Sequence, residues 1–204
     1  MTDASHTSGS KGGFNRRDFL KGSSAVAAAT ALATQSAEAQ DDKKGKVRSG
    51  SQTIALTVNG AEHRVVAEPR TTLLEVLRYQ LNLTGAKPVS TYDGASGAST
   101  VMIDGKPKMA STTLAIACEG KEVETVEYLG GSNPDAVCQA FVEHDAQQCG
   151  FCTPGFVVAV RAFLNKNPNA TEHEIRSGLN GNICRCGTYA NVIEAAMSVV
   201  KGNG

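Results

Sequence analysis

Two short cysteine motifs constrain this chain more than any other feature. Cys149 and Cys152 form a CxxC, Cys184 and Cys186 form a CxC, and thirty-one residues, 153 to 183, lie between the pairs. Both motifs fall where helical patterns end, beside Gly150, Gly181 and Gly187, so loop backbone can bend thiolates towards a common centre. Four thiolates suit tetrahedral zinc or an iron-sulfur cluster, and an oxidising compartment adds two disulfides to the choices. Spacing alone leaves all three open.

The compartment is read from the other end of the chain. Residues 15 to 39, NRRDFLKGSSAVAAATALATQSAEA, run from a charged segment through a weakly apolar Ala-rich one to the small-residue pattern Ala37-Glu38-Ala39. That is signal-peptide anatomy, and Arg16-Arg17 followed by Asp18, Phe19, Leu20 and Lys21 resembles a twin-arginine signal. Export by that route to the periplasm is the expectation, with residues 1–39 removed and 40–51 left as a polar, flexible leader. All six Cys lie beyond the cut.

Composition excludes two classes. The 20 Lys and Arg offset the 20 Asp and Glu, so there is no basic footprint for nucleic acid. No run approaches the roughly 18 to 20 apolar residues of a membrane span. With 5% aromatic residues, the core must be built from Val, Ile, Leu and Ala, which suits one or two small domains.

The periodicity divides the remainder in two. Ile54, Leu56 and Val58 alternate, Asn59-Gly60 marks a hairpin turn, and a second extended run ends at Ala67. Thr72 and Glu75 fit a capping box for a helix from Leu73 to Leu81. A second hairpin turns at Asp104-Gly105, a last strand is expected over Glu122 to Glu127, and the acidic run Glu119 to Glu127 reads as a solvated strand face. After Gly130-Gly131-Ser132 the period becomes helical. Asn133 is the expected N-cap with Pro134 in the first position, and Val137, Phe141 and Val142 form the apolar face. A helix from Thr153-Pro154 buries Val157, Val160 and Leu164 and stops before Pro168. Thr171 to Glu174 is a capping box, and Tyr189 to Val200 is the last helix. The fold class is α+β: a strand-rich region over 52–130, then about four helices over 131–204.

The residues around the cysteines are more specific than their spacing. QCGFCTPG, from Gln148 to Gly155, and GNICRCGTY, from Gly181 to Tyr189, resemble the second iron-sulfur site of the molybdenum hydroxylases. That family includes xanthine dehydrogenase, aldehyde oxidoreductase and aerobic carbon monoxide dehydrogenase. TLLEVLRYQLNLTGAK, the DGKP turn, AFVEHDAQQCGFCTPG and LNGNICRC extend the likeness over nearly all of the chain beyond the signal. The resemblance implies a β-grasp, ferredoxin-like domain followed by a four-helix domain, together the small electron-transfer subunit. It implies that Cys149, Cys152, Cys184 and Cys186 bind a 2Fe-2S cluster. It also implies a molybdopterin-binding large subunit as partner, with Gln148 hydrogen-bonded to the pterin and Cys186 close to it.

The chain departs from the family at one place. The Cys of the usual plant-type cluster, spaced x4 and x2 with a fourth further on, correspond to Thr91, Ser96, Ser99 and Ser111. The spacing survives and the ligands do not, because a neutral hydroxyl is a harder, far less acidic donor than a thiol. Cys118 and Cys138, placed in a strand and a helix, read as small buried hydrophobes. One cluster per chain is therefore expected, passing electrons to an acceptor such as a cytochrome c or a flavin subunit. The loop Ser90 to Thr100 either persists on hydroxyl–backbone hydrogen bonds or loses its order. His63, His144 and His173 match no ligand spacing, and Arg185 either tunes the site or is a plain surface residue. The rival readings are a non-redox structural subunit and a zinc-stapled periplasmic binding module.

Overall fold

The computed structural model describes residues 47–89 and 93–202. The signal segment, most of the 40–51 leader and Thr91 lie outside these residues. From Arg48 onward the chain forms one compact unit, and the end of the leader is attached to it through the Arg48–Glu119 ion pair.

Strands β1 (Gln52–Val58) and β2 (Ala61–Ala67) pair antiparallel with Val58 opposite Ala61. A two-residue turn of this kind needs positive φ at both positions, and Asn59 and Gly60 adopt +54° and +78°. The capping box then opens α1 (Leu73–Glu75): Glu75 N–H donates to Thr72 Oγ1 at 3.2 Å, and Thr72 N–H donates to Glu75 Oε2 at 2.7 Å. The helix does not stay regular to Leu81, since Val76–Gln80 is a π turn. Its last residue, Gln80, holds the β2 edge by accepting from Val66 N–H at 2.9 Å and donating to Val66 O at 2.8 Å.

Strands β3 (Thr100–Ile103) and β4 (Lys106–Met109) form the second hairpin. Strand β5 (Glu122–Glu124) enters between the two hairpins, parallel to β1 and antiparallel to β3, giving the order β2-β1-β5-β3-β4. The strand is shorter than its acidic run suggested. Thr125 leaves the sheet, its N–H donating to Asn59 Oδ1 at 2.9 Å and its hydroxyl to Glu127 Oε2 at 2.6 Å. A one-turn helix, α2 (Val126–Leu129), follows and turns Leu129 into the interior. Glu127 also accepts from Gly85 N–H at 2.7 Å, so this run is not merely a solvated face.

Helix α3 (Ala136–Glu143) is capped by Asp135 and not by Asn133. The carboxylate accepts from Val137 N–H at 2.8 Å and from Arg161 Nε at 2.9 Å, so an ionised cap anchored by a cation prevails over the neutral amide two residues earlier. Pro134 stays in the loop. The buried stripe is Val137, Ala140 and Phe141, the i, i+3, i+4 set, while Val142 is 72% exposed. Helices α4 (Thr153–Lys166), α5 (Glu172–Gly178) and α6 (Tyr189–Gly202) begin where their caps and prolines indicated, and Val157, Val160 and Leu164 are buried on α4.

Two hydrophobic cores result. One gathers Ile54, Leu56, Leu73, Leu77, Val101 and Val123; the other gathers Leu129, Val137, Phe141, Phe156, Ile175 and Val192. Strand β3 serves both. Its side chains alternate, so Val101 and Ile103 enter the first core and Met102 enters the second, which leaves all four of its residues buried. Helix α4 packs on β3 and β4 and on the other helices, which is why it is buried on nearly every face. Fully burying a side chain such as Phe156 contributes about 1.5–3 kcal/mol. The consequence for the site is that Cys152, at the head of α4, stands on one of the best-packed elements of the molecule.

Candidate metal centre

The first cysteine loop is made by the end of α3. His144 is the C-cap, Asp145 takes φ +47°, and Ala146 N–H donates back to Phe141 O at 2.9 Å. The chain then passes Gln147, Gln148 and Cys149, all exposed, turns at Gly150, and enters α4 with Cys152 as its N-cap residue. The second loop leaves α5 at Leu179, which accepts Asn182 N–H at 3.0 Å, and runs through Cys184 and Cys186 to α6. Asn191 Nδ2 donates to His144 O at 2.9 Å, so the start of α6 is tied to the end of α3 and the loops are held side by side.

The structure brings all four sequence-predicted cysteines together as free thiols in two pairs. Cys149 is hydrogen-bonded with Cys186, and Cys152 with Cys184. The first pair is exposed; in the second, Cys184 is buried and Cys152 half-buried. Along the two loops, Phe151 and Ile183 are exposed apolar side chains, and Gln148 and Arg185, next in sequence to Cys149 and Cys186, are exposed as well.

The electrostatics differ across the four sulfurs. Burial works to raise the Cys184 thiol, but hydrogen bonds from the Thr188 hydroxyl and N–H, from Cys186 N–H and from Cys152 outweigh it and bring it down to about 7. Cys152 is pushed up to about 12, first by burial and then by its bond to Cys184 and the nearby charges of Cys184 and Cys149. Phe151 N–H lowers Cys149, and the hydrogen bond with Cys149 raises Cys186. Tyr189 fixes the inner loop: its hydroxyl accepts Cys184 N–H at 2.7 Å, and its ring meets Phe156 edge-on with centroids 5.9 Å apart.

Do these residues fit a metal group? Among the described residues no three His, Cys, Asp or Glu side chains are gathered so as to hold a single ion. The sulfurs stand as two pairs, a donor set suited to a centre of two iron atoms. Thr153 Oγ1, on the residue after Cys152, is buried without a hydrogen-bond partner among the described residues. The fit is good.

The other expectations divide. Ser99 and Ser111 are buried and share a hydrogen bond of 2.9 Å between their hydroxyls; Ser96 Oγ donates to Val89 O at 3.3 Å and accepts Ala98 N–H at 3.3 Å. Within its described part the loop persists on hydroxyl hydrogen bonds. Cys118 lies in a 3-10 turn (Ala115–Cys118) and not in a strand; it is fully buried, and Cys138 is half-buried on α3. Burial raises both thiols, which keeps them protonated and unreactive. His63, His144 and His173 lie on β2, at the α3 C-cap and on α5. Sequence reasoning missed Thr153, Thr188, Tyr189 and Asn182. Of these, Thr188 and Tyr189 follow the CxC motif after one glycine, and a hydroxyl pair beginning two residues beyond a thiolate was the available signal.

Comparison with known proteins agrees with this geometry. The family described as 2Fe-2S binding domain matches residues 125–197, and the twin-arginine translocation pathway signal matches residues 13–33. The aldehyde oxidoreductase iron-sulfur-binding subunit PaoA of Escherichia coli O157:H7 is 36% identical over 196 residues, 88% of this chain and 85% of that protein. The nicotine 6-hydroxylase small subunit of Paenarthrobacter nicotinovorans is 38% identical over 144 residues, 71% of this chain and 87% of that one. The crystal structure of quinoline 2-oxidoreductase from Pseudomonas putida 86 aligns with a TM-score of 0.71 at 38% identity, over 76% of this chain and 96% of that chain. With relatives of this identity covered over more than two thirds of their length, the chain belongs to the small iron-sulfur subunits of the molybdenum hydroxylase family and carries a twin-arginine export signal.

Proposed function

We propose that the chain carries one 2Fe-2S cluster, ligated by Cys149, Cys152, Cys184 and Cys186, and relays single electrons from a molybdopterin-binding large subunit to an acceptor such as a cytochrome c or a flavin subunit. The observation that carries this reading is the contrast between four thiols gathered in two loops and a hydroxyl pair, Ser99 and Ser111, closed on itself where a second cluster would be held. When bound, the cluster supplies a one-electron redox couple and no substrate chemistry.

The residues around it divide the labour. Cys149 and Cys186 lie on the exposed side, with Phe151 and Ile183 as an apolar rim for the large subunit and Gln148 as the side chain that meets the pterin. Cys152 and Cys184 lie on the inner side, where α4 and the Tyr189 hydroxyl hold them against the core. The two regions, 52–130 and 131–204, then serve as a support and as the redox module. The substrate oxidised on the large subunit is an aldehyde or an N-heterocycle. An aldehyde is the first choice, because the Escherichia coli relative, an aldehyde oxidoreductase subunit, matches over 88% of this chain.

The test is to purify the intact complex from the periplasm and measure iron, acid-labile sulfide and zinc per small chain, with a spin-resonance spectrum of the reduced form. About two irons and one rhombic signal are expected. Four irons with two signals would overturn the single-cluster reading. Zinc without iron, in a colourless protein, would overturn the redox function in favour of a structural one.

A further inference from the structure

Resting on that ligand assignment, we propose that Asn182 is a positioning residue for the cluster, and that the task left to the serine loop of the first region is to clamp the Cys184 loop in place through it.

The geometry is that of a bracket. Asn182 is buried, two residues before Cys184. Its Nδ2 donates to Gly97 O at 3.0 Å and to Thr100 Oγ1 at 3.4 Å, while Ile183 N–H donates to Ser96 O at 2.9 Å. Thr100 completes the arrangement, donating to Gly97 O from its hydroxyl at 2.7 Å and from its N–H at 3.1 Å. One carbonyl, that of Gly97, thus collects donors from both loops.

Sterics close the bracket from both sides. Gly97 has φ +67°, and a Cβ there would collide with the Gly181 carbonyl and stand 2.7 Å from Asn182 Nδ2. On α4, one turn after Cys152, a Cβ on Gly155 would collide with Gly97 O and lie 3.2 Å from Asn182 Nδ2. The helix bearing Cys152 and the loop bearing Cys184 therefore abut the same backbone unit, which fixes the two inner sulfurs relative to each other. The serine loop is stiff enough for this work. Ser99 Oγ and Ser111 Oγ are 2.9 Å apart, and Ala110 N–H donates to Ser99 O at 3.0 Å.

The experiment uses the intact complex with Asn182→Asp, which keeps the side chain's size and removes its donor, and Asn182→Ala. Thr100→Val, a swap of equal shape on a strand, is the variant expected to fold in every case. Iron and sulfide content, the spin-resonance g-values and the rate of cluster loss to a chelator are read for each, with exposed Asn180→Ala as the control. We expect two irons still bound in the Asn182 variants, a shifted and broadened signal, and loss to chelator about tenfold faster, the scale of one buried hydrogen bond. Thr100→Val should shift the signal the same way by less, and Asn180→Ala should match the wild type. Loaded Asn182 and Thr100 variants with wild-type g-values and wild-type chelator rates would overturn the clamp. A wild-type complex without iron would instead overturn the ligand assignment on which the clamp rests.

Discussion

The two loops that meet at Gly97 and Asn182 handle clustered polar side chains in opposite ways. In the described part of the serine loop and its neighbour Ser111, Ser99 and Ser111 are almost fully buried and bonded to each other, and Ser96 is bonded to backbone, so these hydroxyls are held within the protein. In the cysteine loops the thiols face one another, one falling to about 7 and its partner pushed up to about 12, and the hydroxyl of Thr153, the residue after Cys152, has no partner among the described residues. Four neighbouring thiolates cannot all ionise unless a positive centre offsets their repulsion. Neutral hydroxyls bonded to one another and to backbone need no such centre. The lesson is that the same turn-rich backbone makes a structural brace or a redox site according to whether its side chains can satisfy one another.

The largest effect that would break this comparison is loss of a sulfur. Cys184→Ser should remove nearly all iron and the visible absorption of the purified complex, because it exchanges a stabilised thiolate for a hydroxyl that does not ionise near neutral pH. Retention of two irons by that variant would mean the wrong residue has been placed at the centre. The reciprocal change sharpens the contrast. Restoring Cys at Thr91, Ser96, Ser99 and Ser111 together should raise iron from about two to about four per chain and add a second spin-resonance signal. An unchanged iron content would show that the loop backbone, and not its side chains, now excludes the metal.

How far these regions could be read in the sequence follows from how local each cause is. The Asn59-Gly60 turn, both capping boxes and the α4 start depend on residues within three or four positions of one another, and each is where the pattern put it. The failures depend on distant partners. Asp135 takes the cap from Asn133 because Arg161, 26 residues on, neutralises it. The β5 strand ends early because Thr125 is held by Asn59, 66 residues before it. Asn182 was invisible for the same reason, its acceptor lying 85 residues away. The cysteine set itself was legible, since its spacing and flanking residues are contiguous; its division into an exposed and an inner pair required the packing of α4.

An intermediate effect tests whether the helical core can be weakened without touching the sulfurs. Asp135→Ala removes the α3 cap and leaves half-buried Arg161 without its carboxylate, so unfolding by urea should show a loss of about 2 kcal/mol. Asp135→Asn keeps a capping oxygen and forfeits the charge, and should lose about half as much. Iron content should be unchanged in both folded variants, since neither residue touches the cysteine loops. Iron lost in step with stability would mean that the centre and the α3 cap form one cooperative unit.

The smallest effect is a pH dependence at the far end of the clamp. Glu174 in the α5 capping box is held below the usual carboxylate range by the Thr171 N–H and then by the Thr171 hydroxyl. A carboxylate with a lowered folded pKa adds stability at neutral pH and loses it as pH falls through that lowered value. Helix α5 ends at Leu179, whose carbonyl accepts Asn182 N–H, so the helix leads into the bracket. Amide exchange over Glu172–Gly178 should therefore be slower in the wild type than in Glu174→Gln at pH 7. The two should converge as Glu174 protonates, because the glutamine keeps the box's geometry but cannot titrate. If acid lowers protection, taken relative to the intrinsic exchange rate, equally in both, some other carboxylate holds α5.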